Sequence, residues 1–599
     1  MSINSASYIA YSSLMATQVQ MTVASSNIAN ADTKGYTEET ANQASTVTGG
    51  AGAGVSITGI TSTVDKLLMR SLVGAASTVG SANSLNTYLN QLQQLYGSTG
   101  SASSSGTSLG NNLAALETAL SSLASDPGSA TQQANVVAAL KTVAAQLNQT
   151  SNGIQTLRGN ADQDIGAAVK DVNQQLQTIA GLNTQIVQAQ ASGQSTANLV
   201  DQRNTALQDI AAKLDVSYFT APNGSLQVYT ASGQALVDTS AHTLSYTPAA
   251  SVTASTTYSA TPPSGFSGIT LNGQDITTQI KSGSIGALIS LRDSVLPGAQ
   301  SQLDQLAATL ESTLNAVHNQ GTALPPPSTL TGSASVSAST PLSPMTGTVR
   351  LAVTTSSGNL VSSTDLNLAT IPSSGPTPTI GDLVTAINAT TASSGVSAAI
   401  TNGHLVLSTA TSGDGVAINQ MTSSIGSGNA GFSAYFGLND LLTGTGASNL
   451  AVRSDISANP GLLATSTLDS SASPTAGKQV LPSGSATVAN NLYNALTGTT
   501  AFSAVAGLGA TSTSFASYAA DITASVASQA SQASANATSQ QSMQSAFQST
   551  MSSESGVNLD QETARLSTLQ NQYTASAELL QVINQMFSAL MSSVQAAAA

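Results

Sequence analysis

LDQETARLSTLQNQYTASAELLQVINQMFSALMSSV, Leu559–Val594, is the stretch that decides the fold. Leu559, Leu566, Tyr573, Leu580, Phe587 and Val594 recur every seven residues, and the positions three further on are Glu562, Leu569, Ser576, Ile583 and Leu590. This a/d pattern predicts a helix with an apolar seam along one side. Neither Gly nor Pro interrupts it, so at 1.5 Å per residue the helix runs roughly 54 Å. A weaker seam opens the chain, where Ile3, Ala10, Leu14, Met21, Ala24 and Ile28 fall on one side and Ser7 and Thr17 fill the gaps. Its small residues allow close helix approach. The segment closes on Asn30-Ala31-Asp32, and Gly35 stops the helix.

Between the two seams the period changes several times. Residues 49–60 (GGAGAGVSITGI) read as a Gly-rich turn and a short strand, 61–96 as a Leu-rich helix, and 98–110 as a Ser/Gly-rich loop. Helices are predicted over 111–125, 130–157, 161–191 and 196–214, with Asp126-Pro127-Gly128 separating the first two. Val216, Tyr218, Leu226, Val228 and Leu236 then follow a period of two around Pro222-Asn223-Gly224, a hairpin signal. Helical spacing returns over 285–317. Pro325-Pro326-Pro327 marks a boundary, and residues 328–447 are β-like, with Asn402-Gly403 at the clearest hairpin. Beyond Pro460 the pattern is again helical.

These readings predict an α+β multidomain protein with paired N- and C-terminal coiled-coil helices. Residues 1–60 and 550–599 are the two halves of the terminal coiled-coil domain. A helical domain spans 61–324, with a β region at 216–280. A β-rich outer domain is inserted at 325–449, and the helical domain resumes at 450–549.

Composition excludes several function classes. Fourteen Lys+Arg against 28 Asp+Glu give a net charge of -14, with no basic stripe for nucleic acid. Charged residues are only 7% of the chain, so its surface is mostly hydroxyl and amide. Cysteine is absent, which removes disulfides and thiolate metal sites. MSINSASYIAYSSLMATQ lacks the basic and continuous apolar regions of a cleaved signal peptide, and no run of about 18 apolar residues predicts a membrane-inserted helix. Export, if it occurs, would then read an uncleaved N-terminus.

SSNIANADTKGYT (Ser25–Thr37) resembles the N-terminal signature of flagellar rod, hook and hook-associated proteins. Asn27, Ile28, Ala29, Asn30, Gly35 and Tyr36 carry the match, and Lys34 departs from it, standing where many members have a small residue or Pro. LVDQRNTALQDIAAKLDV (Leu199–Val216) and the following PNGSLQVYTASGQALVD resemble the hook-associated protein 1 family, as do IGALISLRDSVLP (Ile285–Pro297) and LNAVHNQG (Leu314–Gly321). So do FGLNDLL (Phe436–Leu442), LAVRSDISANPGLLATS (Leu450–Ser466) and SGVNLDQETARLSTLQNQYTASAELLQVINQMFSAL (Ser555–Leu590). The resemblance implies a structural role, not an enzyme, at the joint between hook and filament, with unprocessed export through the flagellar type III system and support of filament assembly and motility. It implies extracellular placement in the flagellum and terminal helices packed into an inner tube. Implied partners are copies of the chain, hook protein, the second junction protein and a cytoplasmic export chaperone on the C-terminal helix, with no nucleic acid, membrane insertion or cofactor.

The expected assembly seam is Leu559, Leu566, Tyr573, Leu580, Ile583, Phe587 and Leu590, with Ile3, Leu14, Met21 and Ile28 as its mate. An intramolecular helical hairpin would also use these residues. Assembly is preferred because a stripe this long at the chain's end has little of its own domain to cover it. Hook protein, flagellin and a Ser/Thr-rich adhesin are the competing readings. The long helical block 111–215 argues against the first, the NIAN motif against the second, and two terminal seams against the third.

Catalytic signals are weak. None of His242, His318 and His404 has a second ligand at metal spacing. His318, near a helix end, reads as a partly cationic cap and His404 as an exposed turn residue. Gly106-Thr107-Ser108-Leu109-Gly110 matches a nucleophile elbow but follows a loop, where the elbow needs a strand. Gly426–Gly431 matches G-x-G-x-x-G without an opening helix and reads as a turn. Asp414 lacks the alternating ligands of a calcium loop.

Overall fold

The computed structural model describes residues 3–48, 50–97, 108–261, 263–471 and 474–598. The chain forms two compact units. One gathers Met1–Tyr88, Gly159–Asp293 and Ser531–Ala599, and the other Leu89–Arg158 and Ser294–Ala530.

The first unit holds both terminal helices, α1 (Ile3–Asn30) and, at the far end of the chain, α14 (Leu559–Ala598), packed on each other. Between α1 and α2 (Lys66–Leu95) lies a long two-stranded ribbon, β1 (Glu39–Thr48) with β2 (Ala51–Ser62). The ribbon is longer than the short strand expected at 49–60. Its first half, ETANQASTVT, is largely exposed and polar, so no alternation marks it. Gly54 sits at φ +125°, and a Cβ there would fall 2.2 Å from Ser12 Oγ, which instead accepts from the Val55 amide. Gly therefore lets β2 lie directly on α1.

Helices α3 (Leu109–Ser125), α4 (Ala130–Ala191) and α5 (Ala197–Lys213) follow. The helices expected at 130–157 and 161–191 are one helix of 62 residues. Gly153 and Gly159 lie inside it, and apolar spacing runs on past them through Ile154, Leu157, Ala161 and Ile165, all buried. Continuous packing outweighs the roughly 1 kcal/mol helix penalty of each Gly. In the first unit α5 lies against α2, where Gly80 leaves room for the Ala212 carbonyl, which would stand 1.9 Å from a Cβ.

The expected hairpin after α5 is present as β3 (Val216–Thr220), β4 (Leu226–Thr230) and β5 (Ala235–Val237) in one antiparallel sheet. A second small sheet joins β6 (Leu244–Ser245), β7 (Thr270–Leu271) and β8 (Gln274–Asp275). Then come α6 (Gly283–Ser290), a π-helical turn at Leu291–Val295 and α7 (Leu296–His318). Arg292 in that turn is fully buried and bonds Asp162, Asp293 and Tyr246 at 2.6–3.0 Å.

The second unit contains the β-rich segment. Strands β9 (Thr329–Thr331), β10 (Met345–Thr346), β11 (Thr348–Thr355), β12 (Leu360–Asn367), β13 (Val396–Thr401), β14 (His404–Thr409), β15 (Asp414–Asn419) and β16 (Ser424–Ile425) form sheets that include the orders β12-β11-β15 and β13-β14-β9. The Asn402-Gly403 hairpin is there, with Thr401 opposite His404. With α8 (Ile380–Ala389), α9 (Thr391–Ser394) and α10 (Phe432–Phe436), these strands enclose a core of their own, including Val349, Leu351, Ile380, Leu405, Val416 and Phe436. After α11 (Ser454–Ala458) come α12 (Thr487–Thr497) and α13 (Phe515–Ser555), the last before α14. The helical pattern expected from Pro460 onward is instead, among the described residues as far as 486, a 3-10 turn and irregular chain. α12 packs on α3 and α7.

Candidate assembly site

Ser13 Oγ lies 3.2 Å from Ser576 Oγ, and Arg565 lies 4.0 Å from Glu38 in the loop beyond α1. Rising numbers on one side meet falling numbers on the other, so α1 and α14 are antiparallel. Equal helical rise then places Ile3 near Met586, and α14 continues past it.

The buried line of α14 is the d line of the heptads: Glu562, Leu569 and Ile583. Leu566 and Leu580 are half-buried beside it, whereas Leu559, Tyr573, Phe587 and Leu590 are exposed. On α1, Ile3, Leu14, Met21 and Ile28 are all half-buried, and the fully buried positions are Ala10, Ala16, Thr17, Val23, Ala24 and Asn27. The expected seam is thus divided, with part of it closing the hairpin within the chain and part facing outward. Exposed apolar side chains continue along α14 at Leu579, Val582, Met586, Met591 and Val594, and on α1 at Tyr8, Tyr11 and Met15.

The motif after α1 is a hydrogen-bonded clasp. Asn27 is fully buried; its Nδ2 donates to the Glu39 carbonyl (2.9 Å), and its Oδ1 accepts from the Glu39 amide (3.0 Å) and the Tyr36 hydroxyl (2.9 Å). Asn30 Nδ2 donates to the Ser26 carbonyl at 2.9 Å, closing the helix end. Gly35 has φ +83°, and a Cβ there would stand 2.7 Å from Thr205 Oγ1. Thr37 donates its amide (2.8 Å) and hydroxyl (2.9 Å) to Asp201 on α5. Burial raises the Asp201 carboxyl to about 6, against the opposing pull of the Thr37 bonds. Burial, reinforced by Glu562, also raises Glu38, whose amide donates to the Ser555 carbonyl at 2.8 Å. The clasp thus ties the end of α1 to α5 and to the end of α13.

Sequence reasoning missed Thr37, Asp201, Arg203 and Asn183. Arg203 donates to Asn183 Oδ1 (3.1 Å) and the Gly224 carbonyl (2.7 Å), while Asn183 brackets the backbone of Leu226. A signal existed: Arg203 stands on the stripe 203, 206, 207, 210, whose other members are Ala206, Leu207 and Ile210. A charge on an apolar stripe needs a partner.

The second unit has a comparable fastener, which joins LNAVHNQG to FGLNDLL. Asn315 Oδ1 accepts from the Leu441 and Leu442 amides at 2.8 and 2.9 Å. Asn319 Oδ1 accepts from Ser433 Oγ (2.7 Å) and the Asn439 amide (3.0 Å), and its Nδ2 donates to Asp440 (2.6 Å). His318 is buried between these segments. Its Nε2 accepts from the Ala464 amide (2.8 Å), so Nδ1 carries the proton and donates to the Asn439 carbonyl. The expectation of a partly cationic helix cap is corrected: burial holds His318 down at about 4, and the ring is neutral. His404 is half-buried, with Nδ1 3.1 Å from the Ala334 carbonyl. Gly426–Gly431 is a turn, as expected, closed by the Ile425–Ala430 bridge, but the expectation that no helix opens there is corrected: Gly431 is the N-cap of the short α10. Gly106 and Thr107 of the elbow-like match, with most of the loop expected at 98–110, lie outside the described residues; Ser108 is the N-cap of α3. Among the described residues no group of three His, Cys, Asp or Glu is placed to hold a metal, and no helix is long and apolar enough to cross a membrane.

A family model described as the flagellar hook-associated protein FlgK helical domain matches residues 89–334. Models of the flagella basal body rod protein and of the flagellar basal body rod FlgEFG protein C-terminal region match residues 8–37 and 548–593, on α1 with its clasp and on α14. The chain belongs to the flagellar hook-associated protein 1 family. A flagellin hook IN motif matches residues 371–411, inside the β-rich segment of this hook-associated protein. No curated protein matches the sequence. Among solved structures, the flagellar hook junction protein FlgK from Burkholderia pseudomallei is similar at a TM-score of 0.48 and 16% identity, over 81% of this chain and 100% of that one. Membership makes this a structural protein of the flagellum that assembles with axial components. The α+β multidomain class with paired terminal helices stands as expected.

Proposed function

We propose that this hook-associated protein is a non-enzymatic adaptor that joins hook to filament. The carrying observation is the pair of terminal helices. They are packed on each other, bear axial-protein signatures at both ends of the chain, and still leave two apolar faces open to solvent. Exposed stripes of this extent mark surfaces that bind a partner. Leu559, Tyr573, Phe587 and Leu590 contact neighbouring subunits, while Leu566, Leu580, Ile583 and the α1 residues Ile3, Leu14, Met21 and Ile28 set the hairpin that presents them.

The chain is exported unprocessed through the flagellar type III system. A cytoplasmic chaperone covers the C-terminal helix before export, since that helix would otherwise aggregate. Hook protein and the second junction protein are the neighbours on either side. Electron microscopy with antibody to this chain tests the placement, and label in a short zone at the distal end of the hook is expected. A deletion strain should keep its hooks, release unpolymerised filament protein and lose motility. Normal filaments in that strain would refute the adaptor role.

A further inference from the structure

Two features of the first unit have complementary chemistry and cannot meet within one chain. The first is a knob. Tyr8, Tyr11 and Met15 are spaced three and four apart, so they share one face of α1. They are 63%, 57% and 47% exposed, the reverse of core behaviour for such side chains. The second is a hole of about 640 Å³ beside the clasp, bounded by the loop 31–37, α2, α5 and the end of α13. Buried Leu72 and Val79 form its floor, and the less buried amides of Asn83, Gln208 and Gln548 stand toward its rim. The exposed loop residues Asp32, Thr33 and Lys34 leave it open to solvent. A phenol has an apolar ring and a polar tip, which suits an apolar floor under an amide rim. The volume is in the range that holds several side chains.

From Tyr11 to Asn30, where the hole begins, α1 runs roughly 29 Å at 1.5 Å per residue. The knob and the hole are therefore at opposite ends of one stiff helix. We infer that the Tyr8–Tyr11–Met15 face of one copy seats in the clasp-side hole of the next. This rests on the self-assembly reading above and gives it a direction. Knob and hole are different patches, so when each copy seats the knob of one neighbour and offers its own to another, the contact is head-to-tail and repeats into a ring or an open helix.

The chain has no cysteine, so introduced thiols are the sole ones and report specific proximity. Two full-length variants, Tyr11→Cys and Gln548→Cys, both at exposed positions, are mixed under polymerising conditions and oxidised. A disulfide between the two variants is expected. Tyr8→Ser with Tyr11→Ser, and separately the hole-filling Ala76→Leu, should each raise the concentration needed for polymerisation about tenfold. Both should keep the monomer's far-ultraviolet circular dichroism. Polymers that form with Tyr11–Tyr11 linkage, or that link Gln548→Cys to Phe587→Cys instead, overturn the inference and leave the adaptor reading standing. A wild-type chain that never polymerises sinks both.

Discussion

Single side chains in this protein act as fasteners more than as chemistry, and two of them titrate with opposite signs. Asp201 has a folded value near 6, above its unfolded value of about 3.9. Its contribution to stability is fully present below the unfolded value and is lost as pH rises through 6. His318 has a folded value near 4, below its unfolded value of about 6.5. Its contribution is present above 6.5 and is lost as pH falls through 4. Between pH 4 and 6.5 the clasp in the first unit should loosen with rising pH and the fastener in the second should tighten. A global melt sums the two slopes, so hydrogen exchange resolved by segment is the measurement. Asp201→Asn should flatten the trend around Thr37, and His318→Gln the trend around Asn439. Asp201→Ala removes the acceptor from two Thr37 donors, and should cost about 1–3 kcal/mol in urea unfolding.

At the scale of the element, the two faces of α14 separate folding from assembly. Leu569 is buried against α1 at 5% exposure, while Leu590 is about half exposed. Leu569→Ala should weaken the α1–α14 hairpin by about 2 kcal/mol, the low end for a buried Leu, because a two-helix interface collapses readily around a void. Leu590→Ala should leave the melting curve alone and reduce polymerisation. Circular dichroism and sedimentation velocity on the two variants check this, and equal effects of both on melting would show that the outward face is part of the fold. Gly80→Ala probes the α2–α5 crossing. Its Cβ would meet backbone, which cannot rotate away, so a loss of monomer stability well beyond the usual Gly-to-Ala gain of under 1 kcal/mol is expected.

For the whole molecule, the β-rich segment tests how independent an inserted module can be. It has a core of its own, and Pro325–Pro327 stands where the chain enters it. Yet Asn439, Asp440, Leu441 and Leu442, the partners of Asn315, His318 and Asn319, lie within 328–447. Excising 328–447 through a Gly/Ser bridge should therefore keep helical circular dichroism and still lower the melting temperature of the remainder, because three buried polar side chains lose their partners. An unchanged melting temperature would show that the α7 end repairs itself with water.

The sequence by itself determined many of the elements, though not the full length of the β1–β2 ribbon or the continuity of α4. Heptad spacing marked α14, small-residue spacing marked α1, Asn402-Gly403 marked a hairpin, the signature around Asn27 and Asn30 pointed to the flagellar axial proteins, and segments such as Leu199–Val216 narrowed the resemblance to the family. These are local patterns, set by period and turn chemistry, and local patterns are legible in one dimension. Tertiary structure decided the rest. The heptads left open which line of α14 is buried, because its a and d lines are both mainly apolar, and Ser13 and Ser576 set the register. The pairing of Asn27 with Glu39, Thr37 with Asp201 and Asn319 with Asn439 joins positions 12 to 164 apart. A polar side chain records in sequence that it needs a partner, but only the folded chain brings that partner to it.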